Sequence, residues 1–186
     1  MSDLGPLAAF EGTWEGNVGV DVSFAYGDRV IGETTYFERA RFSRIPVVHN
    51  GSQTMHGLNY QMTAWRHGEE AADPFHDEVG YMLWEESTGT VMRCFAVPRG
   101  IAVLMGATAT PDADEIHFRA EAGAPTFGLV QNPHLLEQAT CGAFETTFGF
   151  GEDGSLTYKS DLTLTLAATG GDMQHTDTNT LHRVDG

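Results

Sequence analysis

Residues 12–17, GTWEGN, place a tryptophan between two glycines just before a run of alternating side chains, VGVDVSF. Glycine weakens a strand unless the backbone has to bend there or approach another segment closely. Such an opening suits a sheet that closes on itself, because the first strand must bend to pair with the last. Trp14 would then fill the closed end as a large rigid side chain, marking the fold without contacting a ligand.

The same two-residue period continues along most of the chain. Residues 91–97 and 158–166 alternate in this way, and turn sequences such as HNGS, STGT and GEDGS separate the runs. Two chemically distinct faces and tight turns are typical of antiparallel strands in a meander. Short helices are predicted only around residues 6–12 and 132–140, where Asn132 can cap a helix that begins at Pro133. The pattern predicts an all-β fold, a single antiparallel up-and-down β-barrel of about ten strands with one or two short helices, in one domain over residues 1–186. Closure by about ten strands leaves room inside for a ligand.

Composition excludes several classes of partner. The chain has 186 residues, with 10 Lys and Arg against 26 Asp and Glu, for a net charge of −16. This charge repels phosphate backbones and anionic bilayers, so neither nucleic acid nor a membrane is expected as a partner. Cys94 and Cys141 lack the spacing of metal ligands and indicate a reducing compartment. Residues 1–12 lack the features of a signal peptide, so we expect a cytoplasmic protein.

Five motifs resemble, in the same order, those of the nitrobindin family of haem-binding barrels, which share the lipocalin-like architecture of fatty-acid-binding proteins. The motifs are GTWEGNVGV (12–20), YQMTAW (60–65), DPFHDEVGYMLW (73–84), GATA (106–109) and HTDTNTLHRV (175–184). The resemblance implies a barrel of about ten strands that holds ferric haem b at its mouth. It also implies the family's proposed chemistry, which is nitric oxide binding and isomerisation of peroxynitrite to nitrate. Because one fold serves many functions, the site has to be argued from its own residues, and enzymatic activity stays open.

The resemblance assigns the iron ligand to His175, since the family carries its axial histidine in the last strand. An apolar residue follows that histidine in the better-known members, whereas Thr176 follows it here and the run to Arg183 is longer. A shift of one residue along a strand would turn His175 outward. The alternative is therefore that His175 is an exposed polar side chain. His182, further along the same strand, is expected to face outward.

Three further residues are candidates for cofactor binding. His76 matches the family's second pocket histidine, and Phe75 beside it could line the mouth. Arg41 is notable because cations are scarce, and an arginine in the cavity would bind a haem propionate or the carboxylate of a fatty acid. The alternatives are that His76 is a loop-end histidine capped by the neighbouring carboxylates, and that Arg41 forms an ion pair on the surface.

Two other functions remain open. The barrel could be a non-enzymatic carrier of a fatty acid or another small apolar ligand without haem. It could also have a filled interior and act through its surface, for example as a homodimer. None of the eight histidines stands in HxH or HxxxH spacing with another, so the sequence does not predict a zinc site.

Overall fold

A computed structural model describes residues 3–70 and 73–184, and these residues form twelve β-strands, one turn of 3-10 helix (Gly5–Leu7) and one α-helix, α1 (Pro133–Gln138). The strands are β1 (Gly12–Ala25), β2 (Val30–Arg44), β3 (Val48–Asn50), β4 (Gln53–Arg66), β5 (His76–Glu85), β6 (Thr90–Val97), β7 (Ile101–Thr108), β8 (Glu115–Ala122), β9 (Gly128–Gln131), β10 (Ala139–Phe150), β11 (Leu156–Leu166) and β12 (Gly171–Arg183).

Eleven of these strands close into a barrel, and β3 lies outside it, paired with β4. The order around the barrel is β1, β2, β4, β5, β6, β7, β9, β8, β10, β11 and β12, which returns to β1. The strands pair antiparallel except for β8 and β9, which run parallel through Glu121↔Gly128 and Ala122↔Leu129. The predicted all-β barrel of about ten strands is confirmed, and the parallel pair makes it a mixed sheet rather than a strictly antiparallel one.

The first strand is bent by a bulge. An extra residue of β1 between Gly16 and Gly19 interrupts its register with both β2 and β12. A Cβ atom on Gly16 would lie 2.4 Å from the carbonyl oxygen of Thr180, and one on Gly19 would lie 2.4 Å from the ring of Tyr36. Both glycines are therefore required where the seam between β1 and its neighbours is tightest.

Trp14 fills the end of the barrel at which β1 begins, which we call the base. The side chain is 1% exposed, and its indole Nε1 donates a hydrogen bond to the carbonyl oxygen of Phe10 at 2.7 Å. The Arg183 guanidinium covers the indole at 4.4 Å from the ring centroid. Other large side chains complete the base: Leu4, Leu7, Phe10, Phe42, Trp84 and Phe150. The base is thus filled by packing, as predicted for Trp14.

The opposite end, the mouth, is formed by turns 26–29, 98–100 and 167–170 together with helix α1. The helix begins as predicted, with Pro133 in its first turn and the backbone N–H of Leu135 donating to the Asn132 side chain at 3.1 Å. In the parts of the chain that the structure describes, no helix has both the length and the apolar character needed to cross a membrane.

Candidate functional site

The barrel encloses a cavity of about 790 Å³ that extends to the mouth. This volume lies in the range typical of small-molecule sites. Aromatic and aliphatic side chains form much of its wall, among them Phe24, Met62, Phe95, Phe144, Phe148 and Leu162. Its titratable side chains include Asp21, Glu38, His76, Glu78, Arg93, His175 and Asp177. The interior is therefore a ligand cavity with a charged lining, and the filled-barrel alternative is wrong.

His175 points into this cavity. Strand β12 pairs with β11 without interruption from Leu181 to Gly171, so its side chains alternate strictly between the two faces. His175 shares the inward face with Met173 and is 30% exposed, and it lines the cavity. The longer run to the end of the strand does not shift the histidine outward, and His182 lies exposed on the outside as expected.

Asp21 of β1 is the closest polar neighbour of His175 and was missed from the sequence. The Nε2 atom of His175 lies 2.8 Å from Oδ1 of Asp21 and 3.4 Å from Oδ2 of Asp177. The Ser23 hydroxyl donates to the other oxygen of Asp21 at 2.6 Å. Two carboxylates and an imidazole therefore meet at one wall of the cavity, held by strands β1 and β12.

The three groups shift one another's protonation. Burial alone would raise the pKa of Asp21, but hydrogen bonds from His175 and Ser23 lower it overall. Burial alone would lower the pKa of His175, but the hydrogen bond to Asp21 and the charge of Asp177 raise it. Burial, together with the charge of Asp21, raises the pKa of Asp177 to about 6. An ionised Asp21 can only accept hydrogen bonds, so Nε2 of His175 carries the proton that the pair shares.

His76 and Phe75 also line the cavity. The Nε2 atom of His76 lies 3.6 Å from Oε2 of Glu78. Burial alone would lower the pKa of this histidine, but the adjacent carboxylate of Glu78 raises it. The Phe75 ring packs edge-on against Tyr36 at 5.6 Å between centroids, and the Arg66 guanidinium covers its face at 5.0 Å.

Arg41 is the candidate that the structure places away from the cavity. Its neighbours Ala40 and Phe42 on β2 are buried, so Arg41 lies exposed on the outer face of the barrel. The arginines that line the cavity close to its mouth are Arg66 and Arg99.

The cavity floor holds a buried ion pair between Arg93 and Glu78, whose side chains are 4% and 5% exposed. Arg93 also donates to the Tyr60 hydroxyl at 3.0 Å and to the Thr146 hydroxyl at 3.2 Å. Burial alone would raise the pKa of Glu78, but the charge of Arg93 lowers it to about 2. The charge of Arg93 is therefore already compensated, and it is not available to a ligand carboxylate.

Glu38 is a second buried carboxyl, and no arginine among the described residues forms an ion pair with it. It is 2% exposed and accepts hydrogen bonds from the Tyr158 hydroxyl at 2.9 Å and the Asn179 amide at 3.1 Å. Burial raises the pKa of Glu38 to about 7. The Tyr158 hydroxyl also bonds to the Tyr36 hydroxyl at 2.7 Å, so a short polar chain connects Glu38 to the cavity wall.

Comparison with known proteins gives a family match over nearly the whole chain. The matching family is described as "THAP4-like, heme-binding beta-barrel domain", and the match covers residues 3–183. Among solved structures, the chain is similar to Rv2717c from M. tuberculosis, with a TM-score of 0.63 and 21% sequence identity over 98% of this chain and 100% of that chain. At this identity the likeness shows a common fold. No curated protein matches the chain.

Proposed function

Because the chain belongs to the nitrobindin family, the THAP4-like haem-binding β-barrel domains, we propose that its cavity binds ferric haem b with His175 as the axial ligand of the iron. The observation that carries the proposal is the position of this imidazole, which lies inside the cavity with its Nε2 held by Asp21 at 2.8 Å. Histidines that bind metals usually donate their second ring N–H to a carboxylate or carbonyl, which fixes the tautomer. Asp21 would supply that contact and leave Nδ1 for the iron.

The rest of the cavity suits a flat, amphipathic ligand. Aromatic side chains offer apolar faces to a macrocycle, and the volume of about 790 Å³ is that of a small-molecule pocket. Arg66 and Arg99 line the cavity close to the mouth, where guanidinium groups would bind the propionates of haem in bidentate fashion. Phe75 lies against Arg66 and would shield one edge of the ligand from water.

For the reaction, we propose nitric oxide binding and isomerisation of peroxynitrite to nitrate, chemistry for which bound ferric haem supplies the reactive iron. His76 is the residue of this chain suited to assist. Glu78 raises its pKa, which favours the protonated ring, and this cation would stabilise an anionic ligand in the cavity. The fatty-acid carrier is the second candidate, because Arg66 and Arg99 would bind its carboxylate as they would a haem propionate. The imidazole of His175 inside the cavity favours haem, since a fatty acid needs no such ligand.

The test is haem reconstitution of protein without an affinity tag. Titration with hemin should produce a saturable Soret band, and His175→Ala should remove it. His182→Ala is the matched control, since it changes a histidine of the same strand that faces solvent, and it should bind like the parent. If His175→Ala binds hemin as tightly as the parent, the ligand assignment is wrong. Accelerated peroxynitrite decay, measured by stopped flow on reconstituted protein, tests the reaction separately.

A further inference from the structure

We propose that the haem-free protein binds a divalent first-row transition cation, such as Mn²⁺, Co²⁺ or Zn²⁺, at Asp21, His175 and Asp177. One ligand atom from each residue lies within 4.8 Å of the other two. Such a site is distinct from a haem site and does not require that the haem proposal be correct. It uses the carboxylates that surround His175, whereas haem would use the opposite nitrogen of the ring.

The strand register places the two carboxylates face to face. Asp21 and Asp177 are direct partners in the antiparallel pairing of β1 and β12, and both side chains line the cavity. Like charges directly opposite each other in a sheet are destabilising. His175 lies two positions before Asp177 in the same strand, so it points from the same inward face. A cation bound by all three groups would attract both carboxylates and so offset the repulsion between them.

No arginine or lysine compensates these carboxylates within the described residues. Asp21 and Asp177 form ion pairs there with His175, whose imidazole is itself a common metal ligand. Arg93, a buried arginine on the cavity floor, is paired with Glu78. The cavity wall around His175 therefore offers anionic oxygen ligands whose ion-pair partner in the described residues is an imidazole rather than an arginine or lysine.

The ligand set selects the class of cation. Two carboxylates and one imidazole suit Mn²⁺, Fe²⁺, Co²⁺ or Zn²⁺, whereas Ca²⁺ and Mg²⁺ prefer oxygen ligands alone and Cu⁺ prefers sulfur. Three protein ligands leave coordination positions open to the cavity, as in catalytic metal sites. Ser23 holds the second oxygen of Asp21 at 2.6 Å, an outer contact that orients a ligating carboxylate. Because the ligands come from two strands, the spacing of histidines along the chain gives no sign of the site.

The cation and haem would compete for His175. A cation between the carboxylates needs the lone pair of Nε2, so the ring proton must move to Nδ1. Haem ligation through Nδ1, as proposed above, needs the proton on Nε2, where it bonds to Asp21. The two ligands thus require opposite tautomers of one imidazole, and each should weaken binding of the other.

The experiment is titration of tag-free, haem-free, EDTA-treated protein with Co²⁺, followed by its visible d–d absorption, and with Zn²⁺ by calorimetry. The parent should bind one equivalent. His175→Ala and Asp177→Asn should each lower the association constant about tenfold or more, whereas His182→Ala and Asp172→Asn, which change exposed residues of the same strand, should not. Far-UV circular dichroism establishes that each variant is folded.

The proposal is overturned if the parent shows no saturable uptake, or if both site variants bind the cation as the parent does. Because this titration contains no haem, its failure is separate from failure of the hemin titration. Saturating Zn²⁺ should raise the apparent Kd for hemin about tenfold or more, and an unchanged Kd would refute the shared use of His175.

Discussion

Replacing Glu38 by glutamine is expected to change how the stability of the barrel depends on pH. Glu38 is 2% exposed and is held by the Tyr158 hydroxyl and the Asn179 amide. Glutamine keeps the shape and an oxygen that accepts these bonds, but it carries no charge at any pH. The difference between parent and variant therefore isolates the cost of ionising one buried carboxyl.

The sign follows from the direction of the pKa shift. The pKa of Glu38 rises from 4.5 to about 7 in the folded protein, so the folded state binds this proton more tightly than the unfolded chain does. Below about pH 4.5 the carboxyl is neutral in both states and costs nothing. As the pH rises from 4.5 to 7 the folded state loses stability relative to the unfolded state, and above 7 the loss is complete. At about 1.4 kcal/mol for each pKa unit, the full loss is about 3 kcal/mol.

Urea unfolding at pH 5, 6.5 and 8 measures this effect. The free energy of unfolding of Glu38→Gln, relative to the parent, should rise by about 2 to 3 kcal/mol between pH 5 and pH 8. Glu33→Gln, an exposed substitution on the same strand, should give a profile parallel to that of the parent. Other buried groups titrate in parent and variant alike, so they cancel in the comparison. If the profiles of the parent and Glu38→Gln are parallel, Glu38 is not a buried acid with a raised pKa.

Two further substitutions test the seam and the floor of the barrel. Gly19→Ala should destabilise the protein by about 1 to 3 kcal/mol in chemical unfolding because its Cβ would lie 2.4 Å from the Tyr36 ring. The control is Gly32→Ala, which has no heavy atom within 4 Å of the added carbon and should change stability by less than about 0.5 kcal/mol. Equal effects of the two substitutions would contradict the close approach of Gly19 to Tyr36. Arg93→Met should lower the free energy of unfolding by about 3 to 5 kcal/mol because it leaves Glu78 buried without its arginine partner. The double variant with Glu78→Gln should recover part of that stability. A double variant as unstable as Arg93→Met alone would argue against the ion pair.

The barrel could be predicted from the sequence because its signals are local. Alternating side chains, turn residues and the paired glycines around Trp14 each act within a few residues, and they indicate a closed sheet without knowledge of the partner strands. The parallel contact between β8 and β9 could not be predicted in this way. It depends on the chain between Ala122 and Gly128 turning back on the sheet and on β9 being only four residues long.

The site was only partly predictable because periodicity defines two faces of a strand without saying which one is inside. In β1 the valines face outward, with Val18 60% exposed, while Asp21 and Ser23 line the cavity. A barrel with a solid core would place the valines inside and Asp21 outside, so the sequence did not identify Asp21 as a residue of the site. Arg41 was assigned to the cavity although the burial of Ala40 and Phe42 on either side places it outside. His175 was found through family resemblance, and its inward direction follows from its unbroken alternation with the buried residues Met173 and Leu181 on the same strand.

In the described residues, the base around Trp14 is packed and the mouth is the open end of the barrel. A ligand that enters and leaves through the mouth passes the same turns in both directions. Substitutions in turns 26–29 or 167–170 can widen or narrow the mouth without contacting the bound ligand. Such substitutions would change the association and dissociation rate constants by the same factor. The turns at the mouth therefore set the rates of ligand exchange, while the equilibrium affinity stays constant.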